Sequence, residues 1–147
     1  MSGIDIEPNN ADDNIKNINI TDPVSEHNTE YGIQISLSKF YGKTDKQMNV
    51  NITRHRDNQS NSALKISCYN SKAINNEKVI GSISIIDPTW TKNTNNPNLY
   101  GLQEPNLKLI IQSPTVYNAT GTLLNAESLS QLFKKLISKT TTMELTM

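Results

Sequence analysis

Apolar and polar residues alternate with a period of two through the middle of the chain. Tyr31, Ile33, Ile35 and Leu37 interleave with Gly32, Gln34, Ser36 and Ser38, and Met48, Val50 and Ile52 interleave with Asn49, Asn51 and Thr53. Successive side chains of a strand point to opposite faces, so both segments predict half-buried strands. Ala63 to Tyr69 repeats the pattern, with Leu64, Ile66 and Cys68 on one face and Lys65, Ser67 and Tyr69 on the other. Val79 to Ile86 and Leu107 to Gln112 add Ile80, Ile86 and Ile110 on the second face, which predicts more central or better covered strands. The connections Gly42 to Asp45, Asp57 to Asn61 and Asn70 to Glu77 are polar and turn-prone. Short connections favour antiparallel neighbours, because a parallel crossover needs an intervening helix and none is visible there.

The pattern changes to helical spacing near the C-terminus. From Glu127 to Lys139, residues Leu129, Leu132, Phe133, Leu136 and Ile137 form one continuous stripe. Asn125 is placed to cap the first turn, Leu124 to pack back on Leu129, Glu127 to meet the positive end of the dipole and Lys134, Lys135 and Lys139 the negative end. The predicted fold is therefore α+β: an antiparallel sheet of about five strands with a C-terminal amphipathic helix packed on its apolar face.

The other sheet face would then carry Gln34, Ser36, Ser38, Asn49, Asn51, Thr53, Lys65, Ser67, Tyr69, Ser82 and Ser84, polar but nearly uncharged.

Charge divides the chain by position. Residues 1–30 hold seven acids against one base, Lys16, a net −6, and residues 31–147 hold 13 bases and 7 acids, a net +6. The segment 1–30 is dominated by Asn, Asp, Ser and Thr, lacks aromatics and is interrupted by Pro8 and Pro23. It is expected to be a mobile, disordered acidic arm; the alternative, carried by the isolated isoleucines Ile4, Ile6, Ile15, Ile18 and Ile20, is that part of it adds an edge strand or docks on a partner. Residues 31–140 make a single domain and residues 141–147 a tail. Between Lys39 and Lys72 stand Lys39, Lys43, Lys46, Arg54, Arg56, Lys65 and Lys72 against only Asp45 and Asp57. Long cations with Phe40, Tyr41 and Tyr69 interleaved suit a single-stranded nucleic acid, with phosphates held by charge and bases stacked on rings. Lys39, Lys43, Lys46, Arg54, Arg56, Lys65 and Tyr69 are the candidate binding residues, and the acidic arm is a tethered competitor for the same surface. Charged hairpin tips that block edge pairing are the simpler explanation of the same pattern.

An acidic arm, several strands and a last helix introduced by Gly121-Thr-Leu-Leu-Asn-Ala-Glu-Ser-Leu-Ser-Gln-Leu resemble the single-strand-binding transcriptional coactivator family and the related Whirly architecture. The resemblance implies a dimer joined through terminal helices and single-stranded DNA bound along a concave sheet. It covers only the element order and the entry to the helix, so no individual binding residue is carried over. The long segment from Asp87 to Asn106 and a strand count above four depart from it.

That segment holds Trp90, the only tryptophan, with Tyr100 and three prolines. Trp90 and Tyr100 either anchor it on the core or contact a partner. Catalysis finds little footing. His27 lies in the acidic arm and His55 between two arginines, which should lower its pKa. Cys68 reads as a core residue and fits a reducing compartment. Neither phosphate-loop nor nucleophile-elbow nor zinc-protease motifs occur, and no cofactor or metal is expected. No apolar run reaches the roughly 20 residues that cross a bilayer, and no signal peptide is visible, so a soluble intracellular protein is expected. Four Asn-x-Ser/Thr matches, at Asn19, Asn51, Asn58 and Asn118, then read as chance. Two non-catalytic functions remain: a single-stranded nucleic-acid binder, or a structural or adaptor module, with a viral or phage assembly as one setting, contacting proteins through residues 88–105, a sheet edge or the arm. Whether the chain forms a homo-oligomer is left open.

Overall fold

A computed structural model describes residues 1–10, 13–37, 40, 47–67, 80–95, 98–100, 107–136 and 142–147. Among the described residues thirteen strands and one α-helix run in order: β1 (Ile4–Ile6), β2 (Ile15–Thr21), β3 (Val24–Glu26), β4 (Tyr31–Ser36), β5 (Gln47–Thr53), β6 (Arg56–Asn58), β7 (Ser62–Ser67), β8 (Ile80–Ile86), β9 (Thr89–Thr91), β10 (Asn98–Tyr100), β11 (Leu107–Gln112), β12 (Thr115–Val116), α1 (Ala126–Leu136) and β13 (Thr142–Thr146). The ladders between these strands are parallel. Sheet A is β1-β4-β7-β10, sheet B is β13-β11-β8-β5-β2 and sheet C is β12-β9-β6-β3. The chain visits A, B and C in turn and starts again, four times. This is a β-solenoid of four coils.

The expected antiparallel five-strand sheet is thereby overturned. Its five strand segments lie in β4, β5, β7, β8 and β11, which divide between sheets A and B, and the one consecutive pair that shares a sheet, β8 and β11, runs parallel. In a solenoid the crossover between parallel neighbours is supplied by the other two sheets, so no helix is needed between them. Alternation survives because the outer face of each sheet is exposed to water while the inner face lines a common core. Ile33, Ile35, Val50, Ile52, Leu64, Ile66, Ile83, Ile85, Leu109 and Ile111 point into that core and are essentially fully buried.

The corners between sheets are built from left-handed residues. Asp22, Arg54, Asp87 and Ser113, all at positive φ, stack at the B–C corner; His27, Gln59 and Lys92 do so between C and A. Each of the B–C corner N–H groups donates to a strand-end carbonyl of the next rung, Asp22 to Thr53, Arg54 to Ile86, Asp87 to Gln112 and Ser113 to Thr146, at 2.6–2.9 Å. Turn and ladder are thus one continuous hydrogen-bonded stack. Gly81 sits at φ +129°, where a Cβ would collide with the Met48 carbonyl in the adjacent strand, so only glycine fits.

Residues 1–30 are not a separate arm: they form the first coil, β1 to β3, with Ile6 and Ile15 buried. Their isoleucines bury against the second coil, not against one another, which removes the need for a self-sufficient core. Residues 142–146, expected as a tail, extend sheet B as β13. The helix spans Ala126–Leu136, and Asn125 Oδ1 accepts the Ser128 N–H at 2.8 Å as its cap. Instead of lying on a sheet face, α1 contacts β10 in the position a fifth sheet-A strand would take. Its Phe133 is fully buried, with its ring 6.4 Å from that of Trp90.

Candidate functional site

The sequence-predicted basic residues do not share one face. Arg54 occupies a B–C corner, Arg56 the outer face of sheet C, and Lys65 the outer face of sheet A, where its ammonium lies 4.7 Å from the centre of the Tyr31 ring. Lys39, Lys43, Lys46 and Tyr69 lie outside the described residues, as does Cys68, and so does the side chain of Tyr100 in β10. Trp90 is fully buried and offers no contact surface.

Arg54 is already engaged. Its Nε and Nη2 donate to the two Asp22 carboxylate oxygens at 2.7 and 2.8 Å, and those hydrogen bonds hold the Asp22 carboxyl below its usual range. Asp22, Arg54, Arg56 and Asp87 line a groove of about 460 Å³ with Thr89, Ser113 and Thr115, and their formal charges cancel. A polyanion gains little from such a groove.

Beneath sheet C the core contains a polar cluster that could be mistaken for a catalytic triad. Ser25, His55 and Asp57 are 5%, 1% and 2% exposed. The Trp90 indole N–H can only donate, and it lies 3.2 Å from His55 Nδ1, so that nitrogen accepts and the ring proton sits on Nε2. Nε2–H then donates to Ser25 Oγ at 2.8 Å, and the Ser25 hydroxyl donates to Asp57 Oδ2 at 2.5 Å. Asp57 also accepts from the Ser60 hydroxyl at 2.7 Å, the Ser60 N–H at 3.3 Å and Asn93 Nδ2 at 2.5 Å. Every proton points toward Asp57. A nucleophilic serine needs the opposite wiring, with its hydroxyl donating to an accepting imidazole nitrogen. The cluster ties one strand of sheet C to the next and is not a nucleophile–base pair.

His55 was expected to have a lowered pKa because of its flanking arginines. It is lowered, to about 4, but burial is the cause and Asp57 partly opposes it. The unfolded chain, with an ordinary histidine pKa near 6.5, takes up a proton that the native state refuses until about pH 4. Stability from this group is complete above pH 6.5 and falls as pH drops toward 4. Between pH 6.5 and 5, the urea-unfolding free energy is expected to fall by about 2 kcal/mol. A His55→Gln variant, less stable throughout, should lose this slope; a slope unchanged in that variant would assign it elsewhere.

The two ends of the solenoid are finished differently. At the C-terminal end, α1 stands against β10, β13 extends sheet B past β11, and the chain returns along β12 with Leu124 N–H donating to the Val116 carbonyl at 2.9 Å. Phe133 and Leu129 close the core there. At the other end β1, β2 and β3 are the terminal strands of all three sheets. Ile4, Ile18 and Ile20 point inward in register with Ile33, Val50 and Ile52, yet they are only partly buried whereas those partners are fully buried. No described element lies over them.

No protein-family model, curated protein or solved structure matches the chain.

The coil at the open end carries exposed acids on its outward positions. Asp5, Glu7 and Glu26 form no ion pair with any described residue, whereas Asp22 is bound to Arg54 and Asp13 accepts the Asn9 and Asn10 N–H groups. Among the described residues no group of three metal-ligating side chains gathers, and no helix is long and apolar enough to cross a membrane. Sequence reasoning missed this end because it set the segment aside as mobile. The signal was available in the spacing of its isoleucines, which repeats the inward positions of the coil that follows.

Proposed function

We propose that the protein is a non-catalytic interaction module that docks its open N-terminal end on another protein. The observation that carries this reading is the partial exposure of Ile4, Ile18 and Ile20 beside the full burial of their register partners. Solenoids bury each repeat against its neighbours, so a terminal repeat needs a polar cap or a partner. A second copy meeting end to end would set one net-acidic coil against another, a repulsive arrangement. A different protein with a basic contact surface is the occupant that complements both the apolar residues and the acids of this coil. Single-stranded nucleic acid fits less well, because the described cations are dispersed over separate faces and Arg54 is neutralised by Asp22.

Ile20→Gln removes apolarity from the open end, and Leu123→Gln makes the same change at an exposed site on the closed end. With folding verified by thermal melting, immobilised wild type and Leu123→Gln are expected to retain a protein from an extract of the source cells that Ile20→Gln loses. Equal retention by all three would overturn the reading. So would salt-sensitive binding of a labelled single-stranded oligonucleotide that Ile20→Gln leaves intact.

A further inference from the structure

We infer that the partner enters as a basic β-strand added to the free edge of β1, an inference that rests on the docking reading above. Three terminal strands are available at the open end, and they differ as templates. In β2 the register shifts between Ile15 and Ile18, with Asn17 at φ +56° and Lys16 exposed. A bulge of this kind bends a strand and interrupts the row of free backbone groups that an added strand must read. Pro23 precedes β3, whose outward Val24 is 54% exposed, and the strand's remaining outward residue is Glu26. By contrast β1 pairs with β4 without interruption, Ile4 on Ile33, Asp5 on Gln34 and Ile6 on Ile35.

A strand added to β1 continues sheet A by one more rung, about 4.8 Å beyond it. Its inward residues then stack over Ile4 and Ile6, covering Ile4, which the first coil leaves partly exposed, and extending the core past the already buried Ile6. Its outward residue falls next to Asp5, in the row that runs Lys65, Gln34, Asp5. Opposite charges in such cross-strand positions attract and like charges repel. The matching segment therefore reads apolar, basic, apolar, with the cation beside Asp5. Addition to an exposed sheet edge supplies affinity through main-chain hydrogen bonds, and alternating side chains supply the choice of partner.

The test uses the full-length isotope-labelled protein and two short synthetic peptides, one alternating valine and lysine and one alternating valine and glutamate. The lysine peptide is expected to shift the amide resonances of Ile4, Asp5 and Ile6 and to bind at least fivefold more tightly than the glutamate peptide, with affinity falling as salt is added. Asp5→Lys should reverse the preference. Equal binding of the two peptides, or shifts centred on β2, would overturn the basic strand at β1 while leaving docking at this end intact. Self-association by sedimentation that Ile20→Gln abolishes, without peptide binding, would overturn it in favour of a second copy. Absence of both peptide binding and any Ile20-dependent association would overturn this inference and the docking reading together.

Discussion

Replacing Asp57 by alanine is expected to cost about 3–5 kcal/mol in urea unfolding, the range for removing one partner of a buried charged network. The Asp57 carboxylate accepts from both serine hydroxyls, the Ser60 N–H and the Asn93 amide, and the substitution leaves all four without it, three of them on buried serines and the fourth on the half-buried Asn93. The His55 tautomer also depends on it, since the chain of donors from Trp90 through His55 and Ser25 ends there. Asp57→Asn keeps the shape but presents an amide donor to other donors, and should recover only part of the loss. The site has no room to adjust. Gly32 packs so closely that a Cβ on it would collide with the Asp57 carboxylate and lie 2.6 Å from Ser25 Oγ. A loss below 1 kcal/mol for Asp57→Ala would mean that the donors find water, and that the cluster is not the sealed unit described above.

Trp90→Ala should be comparably damaging, about 3–5 kcal/mol, as for other large core deletions. Trp90 heads the fully buried side chains, and it joins three features: it donates to His55, stands edge-on to that ring with centroids 6.5 Å apart, and supports Phe133 of the closing helix. The loss should be visible beyond the melting curve, as faster amide hydrogen exchange in α1 than in β5. Trp90→Phe retains most of the volume but leaves His55 Nδ1 without a donor, and should cost about 1–3 kcal/mol. If α1 exchanged no faster in Trp90→Ala, the helix would be held by something other than its contact with this ring.

Much of the local structure was legible in the sequence, and the way it assembles was not. Alternation located the strands around Ile33, Val50, Leu64, Ile83 and Leu109, and the capped helical stripe located α1, because both periodicities are properties of a single segment. Pairing is a property of two segments. The same half-buried alternation serves an antiparallel hairpin and a solenoid whose outer faces are wet, and the loops offered no helix to suggest a parallel crossover. One clue lay in the Asn-x-Ser/Thr matches dismissed as chance: Asn19-Ile-Thr and Asn51-Ile-Thr are adjacent rungs of sheet B, and Asn51 Nδ2 donates to Asn19 Oδ1 at 2.9 Å across their 32-residue spacing. The corner residues Asp22, Arg54 and Asp87 repeat at nearly the same interval.

The charge division was legible too, but its meaning changed. An acidic segment expected to compete from a tether is a coil stacked on its more basic neighbour, with Asp22 and Arg54 as the visible contact. Trp90 escaped placement because β9 is three residues long, too short for alternation to register, and His55 because nothing in Arg54-His55-Arg56 shows that the middle side chain turns inward. The open end was hidden for a related reason. A residue such as Ile20 can be seen as unburied only once its register partner Ile52 is known.

That contrast is also the most direct test of the account. Single cysteines placed at Ile20 and at Ile52 differ by one rung, point into the same core and belong to the same inward row. Thiol-modification rates in the folded protein, corrected for the wild-type rate of Cys68, should be fast at position 20 and slow at position 52, with the slow rate rising only as the protein unfolds. Equal protection at both positions would mean that the first coil is already covered, and would contradict the open docking end.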